Sequence, residues 1–335
     1  MRTLFPEINP NQTFHLDVGD SHQIYVEECG NPDGIPVVYV HGGPGGGSSP
    51  MHRRFYDPEQ YRIIQFDQRG CGKSTPHCAD DINALFSNTT QHLLRDMEQI
   101  RAHLGITSWV VAGGSWGTTL ALLYAIKFPS VVKALILRGV FLARKQDLDW
   151  FLSPKQGASQ IFPEYYRDFV RGHDIESVDS EDYDATQEIL ESYHEKLTGD
   201  NDFEQLAAAK QFMNWEGRIV SVNYQQSAPA MSKHEAIAMS LLNTHYFTND
   251  GFIYESEIIS EIAAISHIPG YIVHGRNDVV CKPEGAFTLA EHWPNGVLEM
   301  VPAAGHSSTE PGIIDGLVRA SQNIAKFLNE KDQEK

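Results

Sequence analysis

The fold of this chain is decided by one stretch of sequence, Trp109-Val-Val-Ala-Gly-Gly-Ser-Trp-Gly-Thr-Thr-Leu-Ala-Leu-Leu-Tyr-Ala-Ile-Lys127. Its apolar start, residues 109–112, is typical of a buried strand, and Thr118 to Phe128 has a helical pattern. Between them lies a Gly-x-Ser-x-Gly motif, residues 113–117. Small residues on either side of Ser115 permit a sharp strand-to-helix turn that exposes its hydroxyl, and the helix N-terminus behind it favours an oxyanion. We therefore predict that Ser115 is a nucleophile.

Apolar strand patterns alternate with helical patterns along most of the chain. A hairpin is predicted over residues 14–29, and short apolar runs predict further strands at 37–40, 61–67, 134–137, 271–274 and 297–301. Strands that alternate with helices are typical of a mostly parallel sheet covered by helices on both faces. The pattern therefore predicts an α/β fold, which ends in an amphipathic helix and a frayed tail over 329–335.

Residues 144–264 interrupt this alternation with a mostly helical pattern that contains many aromatic residues. Strand-and-loop order returns after residue 264, so the two flanking parts are predicted to share one sheet. We predict an α/β-type core over residues 1–143 and 265–335, with a helical insertion over 144–264. A chain of 335 residues can bury enough apolar surface to fold without disulfides or a structural metal.

The charge balance and the cysteines exclude several classes of function. Lys and Arg number 26 against 44 Asp and Glu, and this net charge of −18 argues against nucleic acid and anionic membranes as partners. The N-terminus lacks a signal-peptide pattern, and no window approaches the roughly 18 apolar residues of a membrane span. The four cysteines have no CxxC spacing, so we predict reduced thiols in a cytoplasmic protein.

A nucleophilic serine needs a base and an acidic residue that orients the base. In the fold in which a nucleophile elbow joins a strand to a helix, these residues follow along the chain in the order Ser, Asp or Glu, His. Asp278 comes directly after the predicted strand at 271–274, and His306 comes directly after the strand at 297–301. Alone, Asp278 could be a turn residue, and His306 is one of 15 histidines. Their joint placement predicts a catalytic triad with Ser115.

A glycine-rich loop, His41-Gly-Gly-Pro-Gly-Gly-Gly47, follows the strand at 37–40. Glycines at this point let backbone N–H groups turn toward an oxyanion, together with the N–H of the residue after the nucleophile. We predict Gly43 and Trp116 as these donors; the alternative is a tight turn without a ligand. His41 and His274 are rival catalytic histidines, but both come too early for the expected order.

A second loop, Gly70-Cys-Gly-Lys-Ser-Thr75, resembles the end of a phosphate-binding P-loop. That motif needs a glycine five positions before Gly72, where this chain has Asp67. Pro76 also interrupts the helix that would begin after Ser74. Because an acidic group at the loop mouth would repel phosphate, we reject a nucleotide site.

Taken together, these motifs resemble the proline iminopeptidases (prolyl aminopeptidases) of the α/β-hydrolase superfamily over nearly the whole chain. The segments that carry the resemblance are His41–Gly47, Asp67–Gly70, Gly113–Gly117, Arg138–Phe141, Trp215–Glu216, His245–Phe247 and Gly305–Ser307. The resemblance implies a serine exopeptidase that releases N-terminal proline from short peptides without a metal or cofactor. It also implies that the insertion at 144–264 is a helical cap over the active site.

The resemblance assigns a role to further residues. It implies that Ser115 is the nucleophile, His306 the general base and acid, and Asp278 its orienting partner. Glu216 corresponds to a cap glutamate that binds the free amino end of the substrate; without the resemblance it could be an exposed helix glutamate. Four residues fall where the family lines its pocket for the proline ring, although core packing would also explain them: Phe141, Phe151, Phe247 and Cys281.

The chain departs from the family pattern at Asn243, where family members often carry a second glutamate, and in a smaller way at Phe212, where they often have tryptophan. Asparagine can accept a hydrogen bond from an ammonium group but brings no charge. We therefore expect weaker selection for a free amino end. Alternatives to the exopeptidase are a broader aminopeptidase, an esterase, and a catalytically silent binding protein. The sequence leaves the oligomeric state open.

Overall fold

The structure, a computed structural model, describes residues 1–173, 184–222 and 231–333. The strands in these residues are β1 Gln12–Gly19, β2 His22–Gly30, β3 Ile35–Val40, β4 Tyr61–Phe66, β5 Trp109–Gly114, β6 Val132–Arg138, β7 Gly270–Gly275 and β8 Gly296–Val301. They form one sheet in the order β1-β2-β4-β3-β5-β6-β7-β8. Strand β2 runs antiparallel to β1 and β4, and all other neighbouring pairs are parallel. The predicted mostly parallel sheet is confirmed.

Helices flank this sheet and fill the interval between β6 and β7. The α-helices of the described residues are α1 Pro50–Arg53, α2 Thr90–His103, α3 Trp116–Lys127, α4 Lys145–Leu152, α5 Ala158–Ile161, α6 Pro163–Phe169, α7 Ala185–Thr198, α8 Asp202–Ile219, α9 Lys233–Phe247, α10 Glu257–Glu261, α11 Pro283–His292 and α12 Pro311–Gln333. None of them combines the length and the apolar content that a bilayer span requires.

The sheet buries a hydrophobic core on each face. On one face, α12 packs its apolar stripe, which includes Ile313, Leu317 and Ile324, against the parallel strands. On the other face lie α2 and α3, and α3 is buried over its whole run from Trp116 to Ala125. A helix that is apolar on all sides must be covered on all sides. Helix α3 therefore anchors the turn at the residue that precedes it, Ser115, which is itself half-buried.

The helices α4 to α10 occupy the chain between β6 and β7, and their aromatic residues contact the core beside the Gly-x-Ser-x-Gly turn. The ring centroid of Trp116 lies 4.9 Å from that of Tyr246 and 6.4 Å from that of Phe247. Phe247 also packs edge-on against Phe141, at 5.7 Å. Residues 174–183 and 223–230 of the predicted insertion lie outside the described residues.

Two predicted boundaries are wrong. Helix α3 begins at Trp116 rather than Thr118, because Ser115 alone takes the non-helical conformation of the turn. Residues 329–333 of the predicted frayed tail belong to α12, which continues to Gln333. Leu328 is buried in the core on this face of the sheet, so the helix is held by apolar contacts close to its C-terminal end. Residues 334–335 lie outside the described part of the chain.

Candidate active site

Ser115 stands at the sharp turn between β5 and α3, with φ 57° and ψ −128°. Positive φ is unfavourable for a residue with a side chain and marks a strained turn. Two glycines make the turn possible. A Cβ on Gly117 would lie 2.1 Å from the carbonyl oxygen of Val40, and one on Gly113 would lie 2.3 Å from that of Gly117. The backbones approach so closely that only glycine fits on either side of Ser115.

Asp278 and His306 meet at the carboxyl ends of β7 and β8. His306 Nδ1 lies 2.7 Å from Asp278 Oδ2, and the other carboxylate oxygen accepts hydrogen bonds from the N–H groups of Val280 (3.0 Å) and Cys281 (2.8 Å). Burial raises the pKa of Asp278, but the charge and hydrogen bond of His306 outweigh burial and hold that pKa below its ordinary value. An ionised Asp278 therefore orients the imidazole with its proton on Nδ1.

The third predicted member is Ser115, but its hydroxyl is not joined to His306 by a hydrogen bond among the described residues. Ser115 Oγ lies 4.0 Å from Cys281 Sγ. His306 Nε2 instead lies 3.2 Å from Nη1 of Arg138, which also donates to the His306 carbonyl oxygen at 3.0 Å. Catalytic hydrogen bonds are often long or misaligned before substrate binds. Sequence reasoning missed Arg138 as a neighbour of the histidine, although it ends the strand beside β5.

The rival histidines have structural roles. His41 Nε2 accepts a hydrogen bond from the N–H of Gln68 at 3.0 Å, and its Nδ1 lies 2.9 Å from the carbonyl oxygen of Gly42. His274 accepts from the N–H of Val140 at 3.1 Å. Burial lowers the pKa of both histidines and keeps them neutral. The hydrogen bonds of His41 thus stabilise the glycine-rich loop, and that of His274 stabilises the end of the strand before Asp278.

The glycine-rich loop packs directly on the nucleophile. A Cβ on Gly42 would lie 3.0 Å from Ser115 Cβ, and Gly43, with φ 115°, lines the same cavity as Ser115. Trp116 is the first residue of α3, so its N–H has no partner within the helix. Both predicted oxyanion donors thus belong to segments that adjoin Ser115, and their role stays a prediction, since it requires both N–H groups to point at one oxyanion.

Asp67 organises the loop that resembled a P-loop. Its carboxylate accepts hydrogen bonds from the N–H groups of Ser48 (2.6 Å) and Lys73 (2.8 Å). These are backbone donors of the kind that a phosphate would need, and a carboxylate already takes them. No α-helix begins after Ser74 in the described chain until α2. The geometry agrees with the rejection of a nucleotide site.

Ser115 opens into a cavity of about 320 Å³, part of it continuous with solvent. Its lining contains every residue that was predicted to bind substrate, together with Val280, which was not predicted: Gly43, Ser115, Phe141, Phe151, Glu216, Asn243, Phe247, Val280 and Cys281. Three phenylalanines make the wall mostly apolar. Much of this volume is open to solvent and the enclosed space is only about 20 Å³, so the lining side chains would have to move for a ligand larger than a water molecule to enter.

Glu216, on α8, brings a carboxylate into this apolar pocket. Its Oε2 is buried and has no hydrogen-bond partner among the described residues. Burial raises the pKa of Glu216, while the nearby His306 acts in the opposite direction. Leaving a buried carboxylate unpaired is costly, and a cation that enters the pocket would relieve that cost.

Asn243, on α9, faces the pocket but has a second task. Its Nδ2 donates to the carbonyl oxygen of Pro44 at 2.9 Å and to that of Met239 at 2.8 Å. Both amide protons are thereby engaged, so the side-chain oxygen is the group left for a ligand. Sequence reasoning missed the bond to Pro44, which ties α9 to the glycine-rich loop. Weaker selection for a free amino end stays a prediction.

The described residues contain one group of side chains with the spacing of a metal site, formed by His77, Asp80 and His234. The two imidazole rings stack at 3.9 Å with an interplanar angle of 15°. Their nitrogen lone pairs lie in nearly parallel planes, so the rings would have to turn before both could bind one ion. None of the three residues lines the cavity at Ser115. No step of the chemistry below uses this group.

Cys281 is expected to make the protein sensitive to bulky thiol reagents. Its thiol lines the pocket 4.0 Å from Ser115 Oγ, so a covalent adduct there would fill the space that substrate needs. Burial raises the pKa of this thiol, and we therefore expect slow inactivation by a maleimide at neutral pH that accelerates in alkali. The measurement is residual hydrolysis against time of exposure.

A Cys281→Ser variant should lose this sensitivity, and a Cys29→Ser variant, whose thiol is buried in the core on the other face of the sheet, should retain it. Equal inactivation of Cys281→Ser and the parent would contradict the assignment.

Comparison with known proteins agrees with this geometry. A family model described as alpha/beta hydrolase fold matches residues 35–312. The chain is 44% identical over 328 residues to a protein named proline iminopeptidase from Xanthomonas citri, and the match covers 97% of this chain and 100% of that one. A proline iminopeptidase from Xylella fastidiosa is also 44% identical, over 327 residues, with 97% and 100% coverage.

Among solved structures, the esterase EaEST from Exiguobacterium antarcticum superposes with a TM-score of 0.58 at 19% identity, covering 95% of this chain and 100% of that one. At this level of identity the likeness concerns the fold alone.

Proposed function

This chain belongs to the proline iminopeptidases of the alpha/beta hydrolase fold, and on that premise we propose that it is a serine exopeptidase that releases N-terminal proline from short peptides. The observation that carries the proposal is the buried Oε2 of Glu216, which has no hydrogen-bond partner among the described residues, in the apolar cavity at Ser115. A protonated N-terminal proline offers a small apolar ring and a cationic secondary amine. These two groups match the wall and the charge of the pocket.

The proposed reaction proceeds through an acyl-enzyme. Ser115 Oγ attacks the carbonyl carbon of the N-terminal proline while His306 Nε2 takes the hydroxyl proton, and Asp278 stabilises the resulting imidazolium. The N–H groups of Gly43 and Trp116 stabilise the oxyanion. His306 then gives its proton to the departing amine, and water hydrolyses the ester by the same route to free proline and regenerate Ser115.

One rearrangement must come before the attack. His306 Nε2 is 3.2 Å from Arg138 Nη1, whereas Ser115 Oγ contacts Cys281. Because Nε2 has a single lone pair, the proposed rearrangement combines rotation of the Ser115 side chain toward His306 with release of Nε2 by Arg138. Until then, donation from Arg138 to Nε2 keeps the imidazole in the tautomer that the reaction needs, with its proton on Nδ1.

The helices between β6 and β7 account for the restriction to peptide ends. We propose that residues 144–264 form a cap over the core, as predicted, and that Glu216 blocks any chain that continues beyond the substrate's N-terminus. A further peptide bond at that point would bury the carboxylate against a neutral amide, whereas a free amine forms a charge-assisted hydrogen bond. Short peptides are therefore the proposed substrates, and folded proteins are excluded by the narrow pocket.

The proposed location of the reaction is the cytoplasm. All four cysteines are unpaired and buried, as expected for a protein of a reducing compartment. Nucleic acid is not a proposed partner, because the net charge is −18.

Glu216→Gln tests the proposed function. We expect kcat/KM for proline p-nitroanilide to fall about 100-fold, since a buried charge-assisted contact is lost, while p-nitrophenyl acetate hydrolysis changes less than about threefold. Because burial raises the pKa of Glu216, protonation should remove the contact at mildly acidic pH. The KM of the parent for proline p-nitroanilide should therefore rise as the pH falls, and the KM of Glu216→Gln should not follow.

Glu204→Gln, which changes an exposed glutamate on the same helix, is the matched control and should behave like the parent. If Glu216→Gln hydrolysed proline p-nitroanilide at the parental rate, or if the parent cleaved N-acetyl-proline p-nitroanilide equally well, the exopeptidase proposal would be wrong.

A further inference from the structure

The loop that carries His306 is hydrogen-bonded to the end of the helix that carries Glu216. Helix α8 ends at Ile219, and the carbonyl oxygen of the next residue, Val220, accepts hydrogen bonds from the N–H groups of His306 (3.0 Å) and Ser307 (2.9 Å). The proposed amine-binding residue and the proposed base thus belong to segments whose backbones touch.

Glu310 bridges the same two segments with its side chain. Oε1 accepts a hydrogen bond from the N–H of Val222 at 2.9 Å, and Oε2 accepts one from the N–H of Gly305. The carboxylate is buried, with 7% of the residue exposed, and it stands directly before α12. A negative charge is favourable at a helix N-terminus, which offsets part of the cost of burying it. Glu310 therefore binds one N–H from each side of the contact.

The two segments are closely packed at this contact. A Cβ on Gly305 would lie 3.2 Å from the nitrogen of Val222 and 3.3 Å from the oxygen of Val220, so a side chain there would push the two backbones apart by a few tenths of an ångström. Removal of the Glu310 carboxylate takes the acceptor from the N–H of Gly305, which is buried, and from the N–H of Val222, whose residue is exposed. The Gly305 N–H bears the larger cost, because a buried N–H cannot bond to water instead.

We propose that Glu310 is a positioning residue for the reaction, which holds the helix of Glu216 in register with His306. This inference rests on the proposed function, because it holds that Glu310 sets the distance between the carboxylate of Glu216, which binds the amine, and the base His306. Glu310 does not line the cavity and does not touch substrate.

The two sides of this bridge are held by different parts of the fold. The His306 loop keeps its bond to Asp278, the contacts with Arg138, and a hydrogen bond from the Asn277 N–H to the Ala304 carbonyl oxygen at 2.8 Å. The end of α8 keeps the ion pair of Arg218 with Asp168 at 3.1 Å and the hydrogen bond from Trp215 Nε1 to the Phe151 carbonyl oxygen at 3.2 Å, both to other helices between β6 and β7. Without the carboxylate, the two bonds to Val220 are left to join the two segments, so we expect the register between Glu216 and His306 to loosen and substrates with a free amine, which need both residues, to suffer most.

The experiment compares two substrates. Proline p-nitroanilide uses Glu216, Ser115 and His306, whereas p-nitrophenyl acetate uses Ser115 and His306 but has no amine. Glu310→Ala should lower kcat/KM about 30-fold for the first, mainly through KM, and at most about threefold for the second. Glu310→Gln keeps one acceptor oxygen, so its kcat/KM for proline p-nitroanilide should lie between those of the parent and Glu310→Ala. If the alanine variant does not fold, Glu310→Gln takes its place in the comparison. Glu299→Gln, which removes a carboxylate of an ion pair with Arg319 on α12, is the control.

A double-mutant cycle completes the test. If Glu310 acts through Glu216, then Glu310→Ala should cost at most about threefold on proline p-nitroanilide once Glu216 is glutamine. Equal losses on both substrates, additive losses in the cycle, or a lower melting temperature with unchanged kinetics would each overturn the proposal. Failure of the proposed function itself would show separately, as an absence of effect in Glu216→Gln alone.

Discussion

Ser115→Ala is expected to lower the hydrolysis of proline p-nitroanilide by about 10⁴-fold or more, because no acyl-enzyme can form. The hydroxyl stands at the strained turn where β5 meets α3, beside the two proposed oxyanion donors and the unpaired Glu216. In the described structure no second hydroxyl or ionised thiol lines the cavity. Cys281 is the nearest candidate, and burial raises the pKa of its thiol, so at neutral pH it is mostly protonated and a much weaker nucleophile than an ionised thiolate.

The fold of this variant should be intact, because alanine keeps the Cβ that packs against Gly42 and the turn still has glycine on both sides. Labelling with a fluorophosphonate should be stoichiometric in the parent and absent in Ser115→Ala. Ser307→Ala, which removes the hydroxyl next to His306 that pairs with Thr309, is the control and should retain labelling. Hydrolysis of proline p-nitroanilide by Ser115→Ala at the parental rate would contradict the serine mechanism.

Asp278→Asn is expected to lower kcat by about 10⁴-fold while leaving the backbone of the site in place. The structure indicates how the amide would lie. The N–H groups of Val280 and Cys281 would hold the amide oxygen in the place of Oδ1, so the NH₂ group would face His306 Nδ1. A donor at that point forces the proton onto Nε2, which is the tautomer that cannot accept from Ser115.

Arg138 makes that tautomer still less productive. Its Nη1 lies 3.2 Å from Nε2. With a proton on Nε2, two N–H donors would face each other, one of them on a permanently charged guanidinium. We therefore expect the His306 ring to turn away in Asp278→Asn, with KM changed much less than kcat. Steady-state kinetics give the split, and Asp33→Asn, on an exposed turn, is the control. Activity within about tenfold of the parent would show that Asp278 does not orient the base.

The proposed triad and oxyanion donors of the candidate site could be predicted from local patterns. Strand positions followed from apolar runs, and each candidate residue was found at the end of such a run: Ser115 after β5, Asp278 after β7 and His306 after β8. Parallel strands bring their carboxyl ends to one edge of the sheet, so chain order alone predicts that these loops meet. Glu216 and the aromatic lining came from the family resemblance, and the cavity contains all of them.

Other features of the site could not be predicted, because they depend on contacts between residues distant in the chain. The Nε2 of His306 faces Arg138, Asn243 is tied to Pro44, and Glu310 joins Gly305 to Val222. In the sequence these residues are an arginine at a strand end, a polar residue on a helix and a glutamate before a proline. Nothing local distinguishes them from solvent-exposed residues of the same type.

The sequence by itself therefore determined the α/β sheet, the elbow at Ser115 and the chain order of Asp278 and His306, because periodic burial and glycine turns are local properties of the chain. Only the tertiary structure decided which buried polar groups find partners. Within the part of the chain that the structure describes, Oε2 of Glu216 is left without one, whereas Asp278 and Glu310 each bind backbone N–H groups. That difference arises because a carboxylate removed from water must be satisfied by whatever the packed chain brings near it, and the one left unsatisfied is the group that a substrate cation can bind.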